Sequence, residues 1–496
     1  MKLLSAQQIH EWDAYTIEHE PIASIDLMER AARTCTDFII DNNLLNRNIK
    51  IFCGKGNNGG DGLAIARQLL EAGISPAVYI LEFGAKGTDD FQINLHKLHQ
   101  LTAEIYFIQS ADFFPEIDKN NDLVIDALFG SGLNRPLQDL SAALVTYINN
   151  AQAYVIAIDT PSGMFIDKSS KDNPVIKATC TLTFQALKLC FMVAENAALS
   201  GEVHVLDIGL HTDFLNTLNA YSLVTKRSIQ RHYKKRNSFA HKGNFGHALL
   251  IAGNKGKMGA AILASHACLR TGAGLVTINT PEKYLNTVHT ALPEVMCITR
   301  DEHIDYSKYN VLGIGPGLGT QEDSAALILQ SIQNFSRPMV IDADALNILA
   351  QHPAWLHNIC SGSVLTPHPK EFERLFGKTE NDFEKIEKAV SLSEQYKLII
   401  ILKGHYTLIA ANGTAWFNTT GNAGMAKGGS GDVLTGIITS LLAQQYESDT
   451  AAIMGVYLHG LAADIAAQNI AMESIIATDI IDHISDAFLS LDENAE

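Results

Sequence analysis

Short apolar runs alternate with amphipathic segments along the whole chain. Continuous short apolar runs are typical of strands that are covered on both faces, and the segments between them carry the helical repeat of apolar positions. This order predicts βαβ units and therefore parallel sheets with helices packed against them. The predicted strands are Ile49–Cys53, Ala77–Leu81, Leu123–Leu128, Tyr154–Ile158, His247–Ile251, Leu275–Ile278, Val311–Ile314, Met339–Ile341 and Lys397–Leu402.

This alternation of apolar runs and amphipathic segments occurs in both halves of the chain, which predicts two doubly wound, three-layer α/β domains. The boundary is expected near Leu210–Ser222, with one domain at 1–215 and another at 222–492. A basic stretch, Lys226–Asn237, follows this boundary. It is expected to be a solvated helix face, although a contribution to a nucleotide site or to an assembly contact is the alternative. The predicted helices include Leu63–Ala72, Leu137–Ile148, Gly259–Thr271, Asp323–Ile332 and Lys427–Leu442.

Charge argues against one large class of function. The 496 residues include 37 Lys or Arg and 54 Asp or Glu, so the net charge is −17. A chain this acidic is not expected to bind nucleic acid, because the phosphate backbone requires a basic surface. A local site for an anionic nucleotide remains open, since backbone N–H groups and helix N-termini build such sites at any net charge.

The cysteines and the N-terminus indicate a reduced, cytoplasmic protein. The seven cysteines are odd in number and form no CxxC pair, so neither a disulfide framework nor a zinc site is expected. The first residues, MKLLSAQQIHEWDAYT, lack the long apolar core of a signal peptide. No run reaches the roughly 20 apolar residues of a membrane span.

A glycine-rich segment after the first predicted strand is the first candidate site. Ile51–Leu70 reads IFCGKGNNGGDGLAIARQLL, which predicts a strand, a glycine turn and a helix. It is neither a Walker A loop nor a strict GxGxxG motif. Its glycines let a ligand approach the backbone, and the helix N-terminus offers N–H groups to a phosphate. Asn57, Asn58 and Asp61 add polar groups that the turn does not need in order to fold.

Two further strand ends carry matching polar groups. Leu123–Arg135 (LVIDALFGSGLNR) ends its strand at Asp126, and Tyr154–Gly163 (YVIAIDTPSG) ends its strand at Asp159. Ligands gather outside the carboxyl ends of parallel strands. Asn58, Asp126 and Ser162 would together supply an all-oxygen site for a hard cation. Each aspartate taken singly is also compatible with a helix cap or a turn.

A second glycine cluster lies near the C-terminus. Gly421–Gln444 reads GNAGMAKGGSGDVLTGIITSLLAQ, in which glycines open an apolar helix and Asp432 stands in its first turn. Backbone N–H groups and the helix dipole there would hold a transferring phosphoryl group, and the carboxylate would accept a proton. An ordinary aspartate at a helix start is the alternative. The strand-end segments Gly315–Gly319 (GPGLG), Ile341–Leu346 (IDADAL), Thr366–Glu371 (TPHPKE) and Lys403–Thr407 (KGHYT) would complete the site, and His368 is equally compatible with a structural role.

The motifs GNNGGDG, DALFGSG and AIDTPSG, in this order, resemble the NAD(P)H-hydrate epimerase family over about residues 1–215. The resemblance implies a Rossmann-like domain that acts on the NADHX and NADPHX hydrates. It implies that Asp159 is an acid/base catalyst, that Lys188 lies near the reacting ring, and that Asn58, Asp126 and Ser162 hold potassium. The substrate-binding residues that it implies are Asn57, Asn58, Gly59, Gly60, Asp61, Gly130, Ser131, Gly132, Leu133, Asn134, Arg135 and Pro136.

The segments HKGNFGHALLIAGNKGKMGAA, GPGLG, DADALN, TPHPKEFERL, KGHYT and GNAGMAKGGSGDVLTG resemble the NAD(P)H-hydrate dehydratases of the ribokinase-like superfamily, over about residues 220–490. The resemblance implies phosphorylation of the hydrate by ADP or ATP with magnesium, and then loss of phosphate, with Asp432 as the base. It implies that the hydrate contacts Ala260 or Ala261, Gly317, His368 and Asp432. It implies that the adenine nucleotide contacts Lys403, Gly404, His405, Tyr406, Thr407 and Gly431.

The two resemblances predict one enzyme that epimerises the hydrates and dehydrates one epimer. The alternative is a small-molecule kinase of the hydroxymethylpyrimidine type with an N-terminal binding module. The TPHPKE segment and the N-terminal motifs favour the repair enzyme. ADP is favoured over ATP as the phosphate donor, and a homo-oligomer is expected. Whether the two sites communicate, and which proton each of Asp159 and Lys188 moves, stay open at this stage.

Overall fold

The computed structural model describes residues 2–42, 44–84, 86–101, 104–218 and 220–492. The chain forms two compact units, Lys2–Ala220 with Asn381–Phe383, and Tyr221–Glu380 with the chain from Glu384 onward. Within the described ranges, no helix combines the length and the apolar character needed to cross a membrane. All seven cysteines are free thiols.

The first unit is a parallel sheet between two layers of helices. Its described strands lie in the order β3-β2-β1-β4-β5-β6-β7, and every neighbouring pair is parallel. The strands are β1 (Asn48–Cys53), β2 (Ala77–Leu81), β3 (Glu104–Ile108), β4 (Asp122–Ala127), β5 (Tyr154–Ile158), β6 (Cys180–Phe184) and β7 (Glu202–Leu206). The helices are α1 (Ala6–His19), α2 (Ser24–Asp41), α3 (Asn57–Glu71), α4 (Asp89–His99), α5 (Asp139–Ala151) and α6 (Ala197–Ser200).

Alternation along the strands of this unit builds two cores. Ile51 and Cys53 belong to a cluster beneath α2, α3 and α4, whereas Phe52 between them belongs to a cluster beneath α5. Successive side chains of a strand point to opposite faces, so a continuous apolar run fills both layers. The predicted α/β fold class is confirmed.

The second unit repeats this architecture with a longer sheet. Its order is β11-β10-β9-β12-β13-β14-β15-β16-β17-β8, parallel except where β16 pairs with β15 and β17. The strands are β8 (Ser222–Leu223), β9 (His247–Ile251), β10 (Leu275–Thr280), β11 (Met296–Thr299), β12 (Val311–Ile314), β13 (Met339–Ile341), β14 (Val364–Leu365), β15 (Ile399–Leu402), β16 (Leu408–Ala411) and β17 (Thr414–Phe417). The helices are α7 (Lys226–Gln230), α8 (Met258–Arg270), α9 (Leu285–Ala291), α10 (Glu322–Asn334), α11 (Asp344–Gln351), α12 (Pro369–Phe376), α13 (Asp382–Tyr396), α14 (Ser430–Ala443), α15 (Ser448–Ala466), α16 (Ala477–Asp482) and α17 (Ile484–Asp492).

Three sequence expectations about element bounds are wrong. The helix predicted from Leu63 begins at Asn57, because the glycines of the motif lie inside its first turns. The helix predicted from Lys427 begins only at Ser430, after a left-handed Gly429. In the basic stretch after the boundary, only Lys226–Gln230 is helical.

Strand order reverses once in each sheet. In the first sheet β1 lies between β2 and β4, and in the second β9 lies between β10 and β12. At such a reversal the connections leave the sheet on opposite sides and open a crevice at the carboxyl ends of the strands. Both candidate sites lie at these ends.

Candidate active sites

A cavity of about 590 Å³ opens at the carboxyl ends of the strands in the first unit. Its walls come from α1, from the start of α3 and from the segments that follow β4, β5 and β6. The lining residues that sequence reasoning had singled out are Asn57, Asn58, Asp61, Gly130, Ser131, Gly132, Leu133, Asn134, Arg135 and Asp159. The structure therefore brings most of the expected substrate-binding residues around one space.

Close packing explains the glycines of the GNNGGDG motif. A Cβ atom on Gly54 would lie 1.9 Å from the carbonyl oxygen of Leu128, and one on Gly59 would lie 1.8 Å from the carbonyl oxygen of Gly54. Neither contact is possible, so α3 can start directly behind β1 only if these positions are glycine. Gly59 and Gly60 are buried in this packing and, like Pro136, do not line the cavity.

Asp159 and Lys188 form a buried ion pair at the floor of the site. Lys188 Nζ lies 2.8 Å from Asp159 Oδ1 and also donates to Thr183 Oγ1. Lys188 is 1% exposed. Asp159 Oδ2 accepts from the Ser131 N–H at 3.0 Å. Burial acts to raise the pKa of Asp159, but the Lys188 ammonium and the hydrogen bonds bring that pKa below its usual value.

The backbone at Asp159 is held in an unusual conformation. Its φ is +66°, in the left-handed region that residues other than glycine rarely adopt. Such strain persists where the surrounding structure fixes it, and it is frequent at active sites. Here it accompanies a side chain that lines the cavity and is paired with a buried lysine.

Asp126 and Ser162 are joined by hydrogen bonds, and Asn58 lies beside the loop that follows Asp126. Asp126 accepts from Ser162 Oγ at 2.6 Å and from the Ser162 N–H at 2.8 Å. Phe129 N–H donates to Ser162 Oγ at 2.8 Å, and a Cβ on the next residue, Gly130, would lie 3.0 Å from Asn58 Oδ1. Asp126 is fully buried, and burial raises its pKa to about 6 despite these hydrogen bonds.

Asn58 is the informative member of this group. Its Oδ1 and Nδ2 atoms are both buried and have no hydrogen-bond partner in the part of the chain that the structure describes. Buried polar groups normally have partners, and a buried carboxylate normally has a compensating charge. An orphaned amide oxygen beside Gly130, in the loop whose Phe129 N–H bonds to Ser162, fits a cation that takes oxygen ligands.

Two further carboxyl groups line this cavity, and sequence reasoning missed the role of one of them. Asp13 lies on α1, outside every motif, so only its position within an apolar helix face could have signalled it. Burial and the nearby Asp159 carboxylate raise the pKa of Asp13 to about 7. Burial, Asp159 and Asp13 raise the pKa of Asp61 well above its usual value.

The second site lies where α14 begins in the second unit. Gly429 precedes the helix with φ +97°, and a Cβ there would lie 2.7 Å from Leu263 Cδ1. The left-handed Gly429 precedes the helix directly, and the first N–H groups of α14, like those of any helix, have no partner within the helix. Asp432 stands in that first turn. Burial and the neighbouring Asp342 raise its pKa to about 7, against the opposing effect of Lys403.

Lys403 is held against α14 by a buried aspartate. Its Nζ lies 3.0 Å from Asp342 Oδ1, and Thr435 Oγ1 donates to Asp342 Oδ2 at 2.8 Å. A Cβ on Gly431 would lie 3.4 Å from Lys403 Nζ. The predicted nucleotide residues Lys403 and Gly431 therefore meet. Sequence reasoning noted the IDADAL strand end but assigned no role to Asp342.

The chain next to Asp342 is strained and leads to a second ion pair. Ala343 has φ +50°, and Asp344 Oδ2 lies 3.0 Å from Lys257 Nζ. The same oxygen accepts from the Gly319 N–H at 2.7 Å. These contacts join the ends of β12 and β13 to the segment before α8.

The predicted hydrate-binding residues of this unit divide into two groups. Gly317 has φ +61°, and a Cβ there would lie 2.6 Å from the carbonyl oxygen of Lys257 and 3.1 Å from Ala260 Cβ. Gly317 and Ala260 are therefore neighbours, whereas Ala261 is fully buried in the core. His368 caps α12, because its Nδ1 accepts from the N–H groups of Lys370 at 3.1 Å and Glu371 at 3.3 Å.

The KGHYT segment forms a tight turn between β15 and β16. Thr407 Oγ1 donates to the carbonyl oxygen of Gly404 at 3.0 Å and accepts from its N–H at 3.3 Å. Gly404 and His405 are exposed, and the His405 and Tyr406 rings lie 4.3 Å apart. The turn presents these residues at the same edge of the sheet as Lys403.

A buried histidine behind the glycine cluster was not found from the sequence. His459 Nε2 lies 3.2 Å from Ser430 Oγ, and burial lowers the pKa of His459 to about 4. It is therefore neutral at physiological pH and holds the first residue of α14 by a hydrogen bond. Across the residues that the structure describes, no group of three or more His, Cys, Asp or Glu side chains is arranged to hold a metal ion.

Known protein families match both units. The family described as YjeF-related protein N-terminus matches residues 24–190, and the family described as NAD(P)H-hydrate dehydratase matches residues 248–486. The first match covers the residues of the first site from Asn57 to Lys188. The second covers the second site from β9 to α17.

Similar full-length proteins carry both units. A bifunctional NAD(P)H-hydrate repair enzyme of Moorella thermoacetica is 35% identical, and the match covers 100% of this chain and 98% of the relative. The enzyme of the same description in Coxiella burnetii is 34% identical over 97% of this chain and 98% of the relative. Among solved structures, a ribokinase-like superfamily protein of Enterococcus faecalis is 29% identical with a TM-score of 0.51, covering 56% of this chain and 100% of its own.

Proposed function

The chain belongs to the bifunctional NAD(P)H-hydrate repair enzymes, and we propose that it restores hydrated NADH and NADPH (NADHX and NADPHX) to the intact dinucleotides. The epimerase domain, residues 1–215, interconverts the R and S hydrates. The dehydratase domain, residues 222–492, converts the S hydrate at the expense of ADP. The observation that carries the proposal is the presence of two units, each matched by its own family, with a polar site at the carboxyl ends of the strands in each sheet.

Asp159 and Lys188 are the proposed catalytic pair of the epimerase. Epimerisation requires the carbon that bears the hydroxyl to lose it and regain it on the other face, with a positive charge developing on the ring between these steps. An ionised Asp159 stabilises that charge and exchanges protons, and Lys188 keeps it ionised. The loop Gly130–Arg135 and the start of α3 hold the dinucleotide.

Potassium is the proposed ion of the first site. Asn58, Asp126 and Ser162 would hold it with oxygen atoms, and it would supply the positive charge that the buried Asp126 carboxylate lacks. Asn58 makes no side-chain hydrogen bond with other described residues, so Asn58→Ala breaks none of the surrounding hydrogen bonds. We expect potassium chloride, compared with choline chloride, to raise the melting temperature of the wild-type protein but not that of Asn58→Ala. An equal effect of potassium on both proteins would exclude this site.

Asp432 is the proposed base of the dehydratase. It accepts the proton of the ring hydroxyl while the hydroxyl oxygen bonds to the terminal phosphorus of the nucleotide, and AMP leaves from ADP (or ADP from ATP). The carbon–oxygen bond of the phosphorylated ring then breaks with loss of phosphate. Loss of a proton from the adjacent carbon restores the ring double bond. The free N–H groups at the start of α14 receive the transferring phosphoryl group.

Lys403, Gly404, His405, Tyr406, Thr407 and Gly431 are the proposed contacts of the adenine nucleotide. The support is that Lys403 Nζ lies beside the backbone of Gly431 at the helix start. Gly317, Ala260, His368 and Asp432 are the proposed contacts of the hydrate, and Ala261, which is fully buried, acts indirectly through the core. Magnesium would be bound chiefly through the nucleotide phosphates, as is usual for this ion, and would offset their charge.

We further propose a cytoplasmic homo-oligomer. Seven free cysteines, five of them buried, suit a reducing compartment. Gel filtration with light scattering tests the assembly, for which a mass above 54.0 kDa is expected.

An absorbance assay at the dihydronicotinamide band tests the function. The purified chain is mixed with racemic hydrated NADH, magnesium and potassium, and with ADP or ATP. We expect complete conversion to NADH with ADP, after correction for spontaneous epimerisation. Conversion of half the substrate would refute the epimerase, and no conversion with either nucleotide would refute the dehydratase. Release of a stable phosphorylated product would instead identify a small-molecule kinase.

A further inference from the structure

Helix α1 carries one carboxyl group into the first cavity. Ala6, Ile9, His10, Asp13, Ala14 and Ile17 line the cavity at the spacing of one helix face. Asp13 lies at the centre of this otherwise largely apolar stripe, one helical turn from Ile9 and one from Ile17. A carboxylate is out of place on an apolar face unless a ligand or a proton uses it.

The position of Asp13 is fixed by contacts on either side. Ser5 forms a capping box with Gln8 at the start of α1, and Leu4 pairs with Lys188 in a parallel bridge. Trp12, next to Asp13, is buried and donates from Nε1 to the carbonyl oxygen of His211 at 2.8 Å. The helix is therefore anchored beside the segment that carries Lys188, and this anchoring fixes the helix face on which Asp13 lies.

Asp13 has charged neighbours but no hydrogen-bond donor among the residues that the structure describes. Asp159 and Lys188 act on it electrostatically, and Asp61 of α3 is close enough to be influenced by it. Burial and Asp159 raise the pKa of Asp13 to about 7, whereas Lys188 holds the pKa of Asp159 below its usual value. One cavity thus contains a carboxyl group that is protonated near neutrality and a carboxylate that is ionised, which is the arrangement of a general acid and its partner.

We propose that Asp13 is the general acid of epimerisation, delivering the proton to the hydroxyl group that leaves the hydrated ring. The proposal rests on the proposed function, since it assigns one step of that reaction to a residue outside every recognised motif. Asp13 lines the cavity from α1 and Asp159 lines it from the end of β5, so the two carboxyl groups reach the ring from different elements.

The step balances without any further reactant. Hydration of an enamine places the hydroxyl on the carbon that is bonded to the ring nitrogen. Asp13 gives its proton to that hydroxyl, the carbon–oxygen bond breaks, and water leaves while the nitrogen lone pair forms a carbon–nitrogen double bond. Water then adds to the other face, the electron pair returns to nitrogen, and Asp159 accepts the released proton. Water in the cavity returns this proton to Asp13.

The experiment follows one purified epimer in the absence of nucleotide, so that only epimerisation is measured. The two hydrates are separated by chromatography, and spontaneous epimerisation is subtracted. Asp13→Asn is compared with Asp13→Glu and with Glu11→Gln, an exposed carboxylate on the same helix that accepts a hydrogen bond from Gln7. Dehydration of the S hydrate with ADP by each variant checks that the rest of the chain is intact.

We expect Asp13→Asn to lower kcat for epimerisation about 100-fold or more, with KM within about threefold of the wild-type value. The wild-type rate should fall as the pH rises through about 7, because the acid must be protonated, and this limb should be absent from Asp13→Asn. Asp13→Glu should recover part of the rate and shift the limb, and Glu11→Gln should behave as wild type.

Two results would overturn the proposal while leaving the proposed function intact. One is an Asp13→Asn rate within threefold of a wild-type enzyme that epimerises the hydrate. The other is a limb near pH 7 that persists in Asp13→Asn. A wild-type chain that accelerates epimerisation at no pH would instead refute the proposed epimerase itself.

Discussion

The carboxyl groups of Asp159 and Asp432 titrate differently because one has a cationic partner and the other has acidic neighbours. Asp159 has a buried ammonium at 2.8 Å, which holds its pKa below the usual value. Burial and the carboxyl groups of Asp342 and Asp344 raise the pKa of Asp432 to about 7, against the opposing effect of Lys403. Asp159 therefore stays ionised through the neutral range, whereas Asp432 changes charge within it.

The pH dependence of dehydration follows from Asp432. A base must be ionised, so kcat/KM for the S hydrate should fall as the pH decreases through about 7. Asp432→Asn removes the base and should lower kcat/KM by roughly 10²–10⁴-fold and abolish this limb. Steady-state rates between pH 5.5 and about 9 measure both effects.

An aspartate in the first turn of another helix is the matched control. Asp486 is exposed at the start of α17, so Asp486→Asn removes the same charge from the same helical position. Its rate and pH profile should equal those of wild type. A profile for Asp432→Asn that keeps the limb near pH 7 would assign the titration to another group.

Lys188→Met tests the buried ion pair through stability. Without the ammonium, burial acts unopposed and the pKa of Asp159 rises, so folding favours the protonated carboxyl. The variant should therefore lose stability as the pH rises from the unfolded value of about 4 towards neutrality, where wild-type Asp159 is stabilised as the carboxylate. In the wild-type protein, the stability that the ionised Asp159 contributes is lost in the opposite direction, as the pH falls through its lowered pKa.

Calorimetric melts at pH about 4 and about 7.5 compare Lys188→Met with Lys177→Met, an exposed lysine of the same unit. The melting-temperature deficit of Lys188→Met should be larger at the higher pH, and removal of one partner of a buried pair costs up to about 3–5 kcal/mol. Lys177→Met should show little deficit at either pH. Equal deficits of Lys188→Met at the two pH values would show that Asp159 does not titrate against Lys188.

At the scale of elements, the apolar pattern found the central strands because they are covered on both faces. β2, β5, β9, β12 and β13 lie where the runs predicted them. The pattern missed β6 (CTLTF) and β7 (EVHVL), in which polar residues alternate with apolar ones, since a continuous run was the criterion. β7 is at the edge of its sheet and needs only one apolar face.

The sequence predicted those parts of the candidate sites that lie in recognisable motifs. The glycine motifs located the start of α3 and the start of α14, but sequence alone did not show that Gly59 is required by contact with Gly54 rather than by a ligand. Asp13 and His459 lie in ordinary helices with no flanking motif. Only the folded chain brings His459 to Ser430 and Asp13 to Asp159.

The contact between α8 and α14 depends on one glycine. A Cβ on Gly436 would lie 2.1 Å from the carbonyl oxygen of Ala264, a backbone atom that cannot move without shifting α8. Gly436→Ala should lower the free energy of unfolding by roughly 1–3 kcal/mol, as overpacking of a core does. Gly259→Ala, on α8 with open space around it, should be neutral or stabilising by about 0.5–1 kcal/mol. Urea unfolding curves measure the difference, and equal midpoints would show that α8 shifts without a loss of stability.

At the scale of the whole molecule, two chemistries share one chain and one pool of substrate. The epimerase releases the S hydrate, and the dehydratase consumes it, so the second site pulls the first reaction to completion. Each proposed site is complete within its own unit: Asp13, Asp159 and Lys188 in one, Lys403 and Asp432 in the other. Nothing in this arrangement requires both sites to belong to the same molecule.

Complementation between two inactivated chains tests this independence. Asp159→Asn should convert only the S half of a racemic mixture, and Asp432→Asn should convert none. Mixed at equal concentration, they should restore full conversion at the rate of wild type with the same number of intact sites, because the S hydrate reaches the second chain by diffusion. Absorbance at the dihydronicotinamide band follows the reaction. A repeat at doubled protein concentration controls for the time that the released hydrate needs to reach a second chain. A mixture that is more than about threefold slower than wild type at every concentration would show that the hydrate passes between sites of one chain.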